Sequence, residues 1–307
     1  MGATAASGGD GKRPAAADDG DDFFSRNKER LRMSKMRMST KNVTRRGFLS
    51  GAGLATLAAA IAPRTAFAAE TPANADIRDN AVPPAERKLT FLFQGDSITD
   101  GGRGRNLSDL NHHIGHGYVF AIVSRLGADF PSAGFKFHNR GLSGNKVSDL
   151  ERRWKRDALN INPDVLSILI GVNDLLANQN KSRDAYDAAT FEKKYRGILD
   201  KSRAANPNLL LVLAPPFMYK VGFAEKSWDF WGKETKPRAE LVRKIAKDYG
   251  AVLVDYPAVF ERAEKIAPIQ HWTWDGCHPT VYAHELMARE WIKQVSTRLS
   301  FLKKYNY

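Results

Sequence analysis

The chain has 307 residues, of which 43% are hydrophobic and 26% are charged, and it carries a formal net charge of +13. This length and apolar content suffice for one large domain or two small ones, and they exclude a wholly disordered chain. The positive charge does not predict a nucleic-acid partner, because no cluster of lysine and arginine is interleaved with aromatic residues.

Residues 1–68 are predicted to form a disordered leader followed by an export signal. Met1–Asp22 consists mainly of Ala, Gly and Asp, a composition that cannot build a core. Arg45 and Arg46 then precede a weakly apolar run, Gly51–Ala62. Paired arginines before such a run resemble a twin-arginine export signal.

The residues that follow this apolar run help to predict where the protein is located. It is followed by Ala66-Phe67-Ala68, the small-x-small form of a signal-peptidase site. About a dozen apolar residues is short of the roughly 20 that a membrane-spanning helix needs, so no stable membrane anchor is expected. The sequence therefore predicts a periplasmic or secreted protein whose leader binds an export machinery. The alternative interpretations of this segment are a basic surface helix and a membrane anchor.

A single folded domain is predicted for residues 89–307, after an extended linker at residues 69–88 that holds three prolines. Short apolar runs predict five strands, at Leu89–Phe93, Phe135–Asn139, Val165–Ile170, Leu209–Leu213 and Ala251–Val254. Helical periodicity predicts helices at Gly117–Leu126, Val147–Leu159, Phe191–Ala205, Glu234–Tyr249, Pro257–Ile266 and Val281–Leu299. Because strands alternate with helices, we expect an α/β fold with three α/β/α layers around a central five-stranded parallel sheet.

Ser97 is the candidate nucleophile. It follows the first predicted strand in the turn Gly95-Asp96-Ser97, and open parallel sheets keep their ligand sites at the carboxyl ends of the strands. Gly, Asp and Ser are also common turn residues, so this tripeptide alone is weak evidence for catalysis.

Asp275 and His278 are candidates for the other members of a catalytic triad. An imidazole, with an ordinary pKa of about 6.5, suits a general base near neutral pH. A carboxylate three residues earlier on the same loop can hydrogen-bond the far imidazole nitrogen and fix its tautomer. Each residue also has a structural interpretation, His278 as a surface residue before a helix and Asp275 as a turn or cap former.

Four parts of the sequence carry a resemblance to a known family. They are Ser97 with its turn, Asn139–Asn145, Gly171–Asp174 and Asp275–Thr280, in the order and at spacings compatible with the four sequence blocks of the SGNH hydrolases, also called GDSL esterases. The resemblance covers Leu89–Leu299. It implies a flavodoxin-like three-layer fold and ester hydrolysis through an acyl-Ser97 intermediate, with no metal or organic cofactor.

The resemblance also implies an oxyanion hole made by the backbone N–H groups of Ser97 and Gly141 and the side-chain amide of Asn173. Within the family, the chain is most similar to acetylhydrolases and carbohydrate O-acetylesterases, and no long apolar lid segment is visible. Lipase, thioesterase and arylesterase activities are alternatives, because a fold does not determine a substrate. A further alternative is a non-catalytic glycan-binding module, although such a module needs no nucleophile.

Aromatic residues are candidates for a surface that stacks on sugars. An aromatic-rich insertion at residues 217–231 is predicted to be a loop, and ordinary packing is the other interpretation of its composition. The candidate substrate-binding residues are Asn145, Trp228, Trp231 and Trp274.

Two further features allow other interpretations. A metal held by His112, His113 or His116 would suit phosphodiester cleavage, but adjacent histidines do not share a helix face, and loop residues bordering the site are the preferred interpretation. Cys277 is the only cysteine, so an internal disulfide is impossible, and we expect a small packed side chain.

Overall fold

The structure is a computed structural model that describes residues 88–307. The predicted leader and export signal at residues 1–68, and the linker up to residue 87, lie outside the described residues. Between residues 88 and 307, no helix is long and apolar enough to cross a membrane.

Five parallel strands form one sheet in the order β2-β1-β3-β4-β5. Their bounds are Thr90–Gly95 for β1, Lys136–Asn139 for β2, Val165–Leu169 for β3, Leu210–Ala214 for β4 and Val252–Leu253 for β5. Each lies where the sequence predicts a strand, so the five-stranded parallel sheet is confirmed.

Helices and short turns occupy most of the remaining described chain. The helices are α1 Ser97–Asp100, α2 Tyr118–Asp129, α3 Val147–Trp154, α4 Val172–Gln179, α5 Ala188–Ala205, α6 Trp228–Asp248, α7 Tyr256–Glu264, α8 Ile269–Trp272 and α9 Val281–Val295. A π-helical segment at Lys155–Leu159 follows α3, and 3₁₀ turns lie at Gly222–Ser227 and Ser300–Tyr305.

Hydrophobic side chains cover both faces of the sheet. On β1, Phe91 and Phe93 pack into one core cluster and Leu92 into the other, because successive side chains of a strand point to opposite faces. Helices α2, α7 and α9 contribute to the first cluster, and α3, α5 and α6 contribute to the second. The predicted three-layer α/β/α architecture is therefore confirmed.

The aromatic-rich insertion is more helical than predicted. Its second half is a 3₁₀ turn followed by the start of α6, which begins at Trp228 and continues past Pro237 to Asp248. The prediction that residues 217–231 form a loop is therefore wrong in its second half. The physical reason is Trp231, whose fully buried indole packs in a cluster with Val172 and Leu175 and so holds the first turn of α6 against α4.

Candidate active site

Two neighbouring strands deliver the candidate nucleophile and an amide donor to the same edge of the sheet. Gly95 at the end of β1 is in register with Leu169 at the end of β3. Ser97 opens α1 directly after β1, and Asn173 lies in the first turn of α4 shortly after β3. This edge holds the carboxyl ends of the strands, where parallel sheets place their sites.

The structure brings Ser97, His278 and Asp275 into one chain of hydrogen bonds. Ser97 Oγ lies 2.7 Å from His278 Nε2, and His278 Nδ1 lies 2.6 Å from Asp275 Oδ2. The second carboxylate oxygen, Asp275 Oδ1, accepts from the backbone N–H of Cys277 at 3.1 Å and of His278 at 2.8 Å. One aspartate thus shapes the loop with one oxygen and orients the imidazole with the other.

The electrostatic environment sets His278 and Asp275 in complementary states. Burial by itself lowers the pKa of His278, but the hydrogen bond and charge of Asp275 outweigh it and raise that pKa above its ordinary value. Burial raises the pKa of Asp275, and the hydrogen bond from His278 outweighs it, so the pKa of the carboxyl ends below its usual range. The pair is therefore arranged to stabilise an imidazolium beside a carboxylate.

Gly141 does not present the oxyanion donor expected of it. Its N–H donates to Asn139 Oδ1 at 2.9 Å in a buried position. A Cβ at Gly141 would lie 2.4 Å from the backbone nitrogen of Asp100, so the residue is a glycine because α1 passes against it. The geometry corrects this prediction, since the N–H is already used within the loop.

Gly144, three residues later, presents a free N–H that the sequence interpretation missed. Its φ is +78°, a left-handed conformation that favours glycine. Among residues 88–307, no group accepts a hydrogen bond from its N–H. The next residue, Asn145, accepts from Asn173 Nδ2 at 3.2 Å through its carbonyl, so Gly144 lies beside the Asn173 amide. A second glycine in the same sequence block was the available signal.

Buried Asp100 ties the nucleophile helix to this loop. Its carboxylate accepts from the backbone N–H and hydroxyl of Ser143, both at 3.1 Å, and from both terminal nitrogens of Arg105, at 2.9 and 2.7 Å. Arg103 Nε donates to Gly141 O at 3.1 Å. Asp100, Arg103 and Arg105 lie beside or within a Gly- and Asn-rich stretch, residues 101–111, to which the sequence analysis assigned no function.

A second buried aspartate connects the same loop to α4. Asp174 Oδ1 accepts from the backbone N–H of Val147, the first residue of α3, at 3.2 Å, and from the hydroxyl of Tyr186. Asp174 directly follows Asn173, so this contact holds the end of the loop against the helix that carries the amide donor.

Asp96 caps α1 just before Ser97. Its Oδ1 accepts from Ile98 N at 3.0 Å, and the side chain is almost fully buried. Burial raises the pKa of Asp96 to about 7. Burial removes the water that would stabilise the charged carboxylate, so the folded state favours the protonated form of Asp96.

We expect this carboxyl to make folding stability depend on pH. Between its unfolded pKa near 4 and its folded pKa near 7, the native state binds more protons than the unfolded state, so stability falls as pH rises through that window, by a few kcal/mol in total. In Asp96→Asn, which is neutral at every pH, this contribution is lost. Urea unfolding at about pH 5 and pH 9 measures it. An unchanged pH dependence in the variant would contradict the assignment.

The candidate substrate-binding residues separate into different environments. Trp274 is 65% exposed, and its ring lies 6.1 Å from the His278 ring at an interplanar angle of 25°. Trp228 is half-buried. Trp231 is 0% exposed, so the expectation that it contacts substrate is wrong, and its indole is core instead. Asn145 is half-buried, with its Oδ1 held by Arg153 Nε at 2.9 Å.

The loop histidines have partners of their own. His112 Nδ1 lies 2.8 Å from Asp109 Oδ2, and His113 Nδ1 lies 3.0 Å from Asp109 O. Within residues 88–307, the one group of three or more His, Cys, Asp and Glu donors close enough to share a metal is Asp275, Cys277 and His278. The geometry therefore does not support the metal alternative built on His112, His113 and His116.

The model of the GDSL-like lipase/acylhydrolase family matches residues 93–286, more than half of the chain. An acetylxylan esterase from Geobacillus stearothermophilus is 32% identical over 213 residues, which are 67% of this chain and 93% of that protein.

Solved structures agree with the sequence comparisons. A protein described as a GDSL-like lipase from Parabacteroides merdae ATCC 43184 superposes with a TM-score of 0.64 at 35% identity, covering 69% of this chain and 97% of that one. The crystal structure of the Geobacillus acetylxylan esterase superposes with a TM-score of 0.61 at 28% identity, covering 69% and 96%. Catalytic mutants of that esterase replace a serine, an aspartate or a histidine, the aspartate preceding the histidine by three positions.

Proposed function

This chain belongs to the GDSL-like lipase/acylhydrolase family of serine ester hydrolases, and on that basis we propose that it removes acetyl groups from O-acetylated carbohydrate. The observation that carries the proposal is the hydrogen-bonded chain Ser97–His278–Asp275 with exposed Trp274 stacked beside His278. The acetylxylan esterase relative supports a polysaccharide substrate, and its catalytic aspartate and histidine have the spacing of Asp275 and His278.

Each residue has a defined step in the proposed reaction. His278 Nε2 takes the Ser97 proton as Oγ attacks the acetyl carbonyl, and Asp275 stabilises the imidazolium that forms. The proton then passes to the departing sugar hydroxyl, leaving acetyl-Ser97. Water attacks this ester by the same route in reverse, releasing acetate and restoring Ser97.

The oxyanion is stabilised by the donors that the structure leaves available. We assign this role to the N–H groups of Ser97 and Gly144 and to Asn173 Nδ2, with Gly144 in place of Gly141. Preformed donors of this kind are worth about 3 kcal/mol each in the transition state.

Acetate release tests the substrate assignment. The wild type, Trp274→Ala and Tyr307→Ala are compared on acetylated xylo-oligosaccharides and on p-nitrophenyl esters from acetate to decanoate. We expect turnover of short acyl chains only, and a loss of about tenfold in kcat/KM on the oligosaccharide in Trp274→Ala with little change on p-nitrophenyl acetate. Tyr307, an exposed aromatic residue at the end of the chain, is the control. Preference for decanoate would favour a lipase. Absence of turnover with every ester would favour a glycan-binding module.

The pH dependence of turnover reports on Asp275 and His278. Protonated His278 cannot accept the Ser97 proton, so we expect kcat/KM to fall on the acid side of a pKa above about 6.5. In Asp275→Asn the group that raises this pKa is gone, so the acid limb moves to lower pH, and kcat falls by about 10⁴-fold. Profiles of kcat/KM from about pH 4 to 9 measure both changes. Acid limbs at the same pH in both proteins would show that Asp275 does not set the state of His278.

We also propose export through the leader. The support is the pair Arg45 and Arg46 before a weakly apolar run that is followed by Ala66-Phe67-Ala68. Replacing both arginines by lysine should hold the precursor in the cytoplasm, as fractionation would show. Unchanged export of that variant would refute the twin-arginine assignment.

A further inference from the structure

Three different metal-binding side chains meet on the loop that carries the candidate base. Asp275, Cys277 and His278 place one ligand atom each within 4.8 Å of one another. Cys277 Sγ lies 3.4 Å from His278 Nδ1, and Asp275 Oδ2 lies 2.6 Å from the same nitrogen. Cys277 is buried in the cluster that contains Val172 and Trp231, as expected of a small packed side chain, and it takes no part in the proposed ester hydrolysis.

The spacing of these atoms is close to that of a tetrahedral zinc site. With Zn–S near 2.3 Å and Zn–N near 2.0–2.1 Å, a tetrahedral angle puts sulfur and nitrogen about 3.5 Å apart. Cys277 Sγ and His278 Nδ1 already meet this distance. The oxygen and nitrogen need about 3.4 Å, so the present Asp275–His278 contact has to open by less than about 1 Å.

The loop holds this arrangement together without the metal. Asp275 Oδ1 binds the backbone N–H groups of Cys277 and His278, which fixes the three residues in one tight turn and leaves Oδ2 facing the imidazole. The carboxylate and a thiolate would supply two negative charges to a cation. A sulfur ligand with imidazole selects zinc-like metals over magnesium and calcium, which prefer oxygen alone.

We propose that Asp275, Cys277 and His278 form a binding site for one thiophilic divalent cation of the Zn²⁺ type, and that its occupation switches the enzyme off. The cation binds the Nδ1 lone pair, so the single proton of the neutral ring has to lie on Nε2. Nε2 then donates a hydrogen bond and cannot take the Ser97 proton. The thiol proton of Cys277 leaves to solvent, and Asp275 exchanges its imidazole partner for the metal.

Binding is tested separately from inhibition, because only the inhibition rests on the proposed function. The full-length wild type, Cys277→Ser and His112→Ala are titrated with Co²⁺, a spectroscopic substitute for Zn²⁺. We expect one Co²⁺ per wild-type chain, with a thiolate-to-cobalt absorption band that is absent in Cys277→Ser and kept in His112→Ala. The histidine variant is the control for metal held by the exposed loop near Asp109.

Inhibition is measured for each protein against its own metal-free activity. Zn²⁺ should inhibit the wild type and His112→Ala, with recovery on adding a chelator, and Cys277→Ser should need at least about tenfold more Zn²⁺ for the same inhibition. Circular dichroism checks that Cys277→Ser is folded, and Cys277→Ala repeats the comparison. Absence of the thiolate band, or equal sensitivity of wild type and both cysteine variants, overturns the proposal. A band that depends on Cys277 in a protein without esterase activity would uphold the metal site and refute the proposed function instead.

Discussion

Replacing Ser97 by alanine is expected to lower kcat for acetyl ester hydrolysis by about 10⁵- to 10⁶-fold, because the variant has no hydroxyl at this position to form the acyl intermediate. The hydroxyl is 2.7 Å from His278 Nε2. The helix that carries it, α1, is capped by Asp96 at its amino end and by Gly101 at its carboxyl end. Ser97→Ala should remain folded, since the substitution removes one oxygen at a half-buried position. Turnover of p-nitrophenyl acetate, with circular dichroism of both proteins, gives the comparison.

Labelling by a fluorophosphonate supports the same assignment without a substrate. The probe should modify one serine in the wild type and none in Ser97→Ala. Ser296→Ala, which removes an exposed hydroxyl bonded to Lys293 O near the end of α9, is the matched control and should label and turn over normally. Label or turnover that survives in Ser97→Ala would mean that another residue is the nucleophile.

Replacing Asn173 by alanine is expected to lower kcat by about 10²- to 10³-fold with little change in KM, because its amide stabilises charge that develops only in the transition state. The amide now donates to Asn145 O at 3.2 Å, at the edge of the loop that contains Gly144. Rates over a range of p-nitrophenyl acetate concentrations separate kcat from KM.

Asn180, the exposed residue that caps the carboxyl end of α4, provides the control for this second substitution. Asn180→Ala should keep wild-type kcat and KM. A loss in Asn173→Ala confined to KM would instead make Asn173 a substrate-binding residue, and equal losses in both variants would point to damage to α4.

The inner strands β1, β3 and β4 were predictable because they are buried on both faces. Val165–Leu169 is fully buried along its length, so it appears in the sequence as an apolar run that only Ser167 interrupts, and the Ser167 hydroxyl accepts from Trp291 Nε1 at 3.1 Å. The residues of the triad were predictable for a different reason. Ser97, Asp275 and His278 lie within short local motifs, where the residue type and its spacing carry the chemistry.

Positions that depend on the direction of a side chain or on contacts remote in sequence could not be predicted in this way. Which glycine of the second block offers a free N–H depends on the Asn139 side chain, which takes the N–H of Gly141. Trp231 and Trp274 are the same residue type, yet Trp231 is buried against α4 and Trp274 stacks beside His278. The contact of Asp100 with Ser143 joins residues 43 positions apart, a separation that no local pattern spans.

The four-residue helix α1 has a consequence for how the protein loses activity. Helices this short are not stable in isolation, so the shape of α1 depends on its cap at Asp96 and on the anchoring of Asp100 by Arg105 and Ser143. Under mild denaturant, undocking of the loop at Ser143 would release α1 while the sheet stayed intact, as local openings cost less than global unfolding. Turnover is therefore expected to disappear before the sheet melts, so that an inactive sample of this protein can still have native secondary structure.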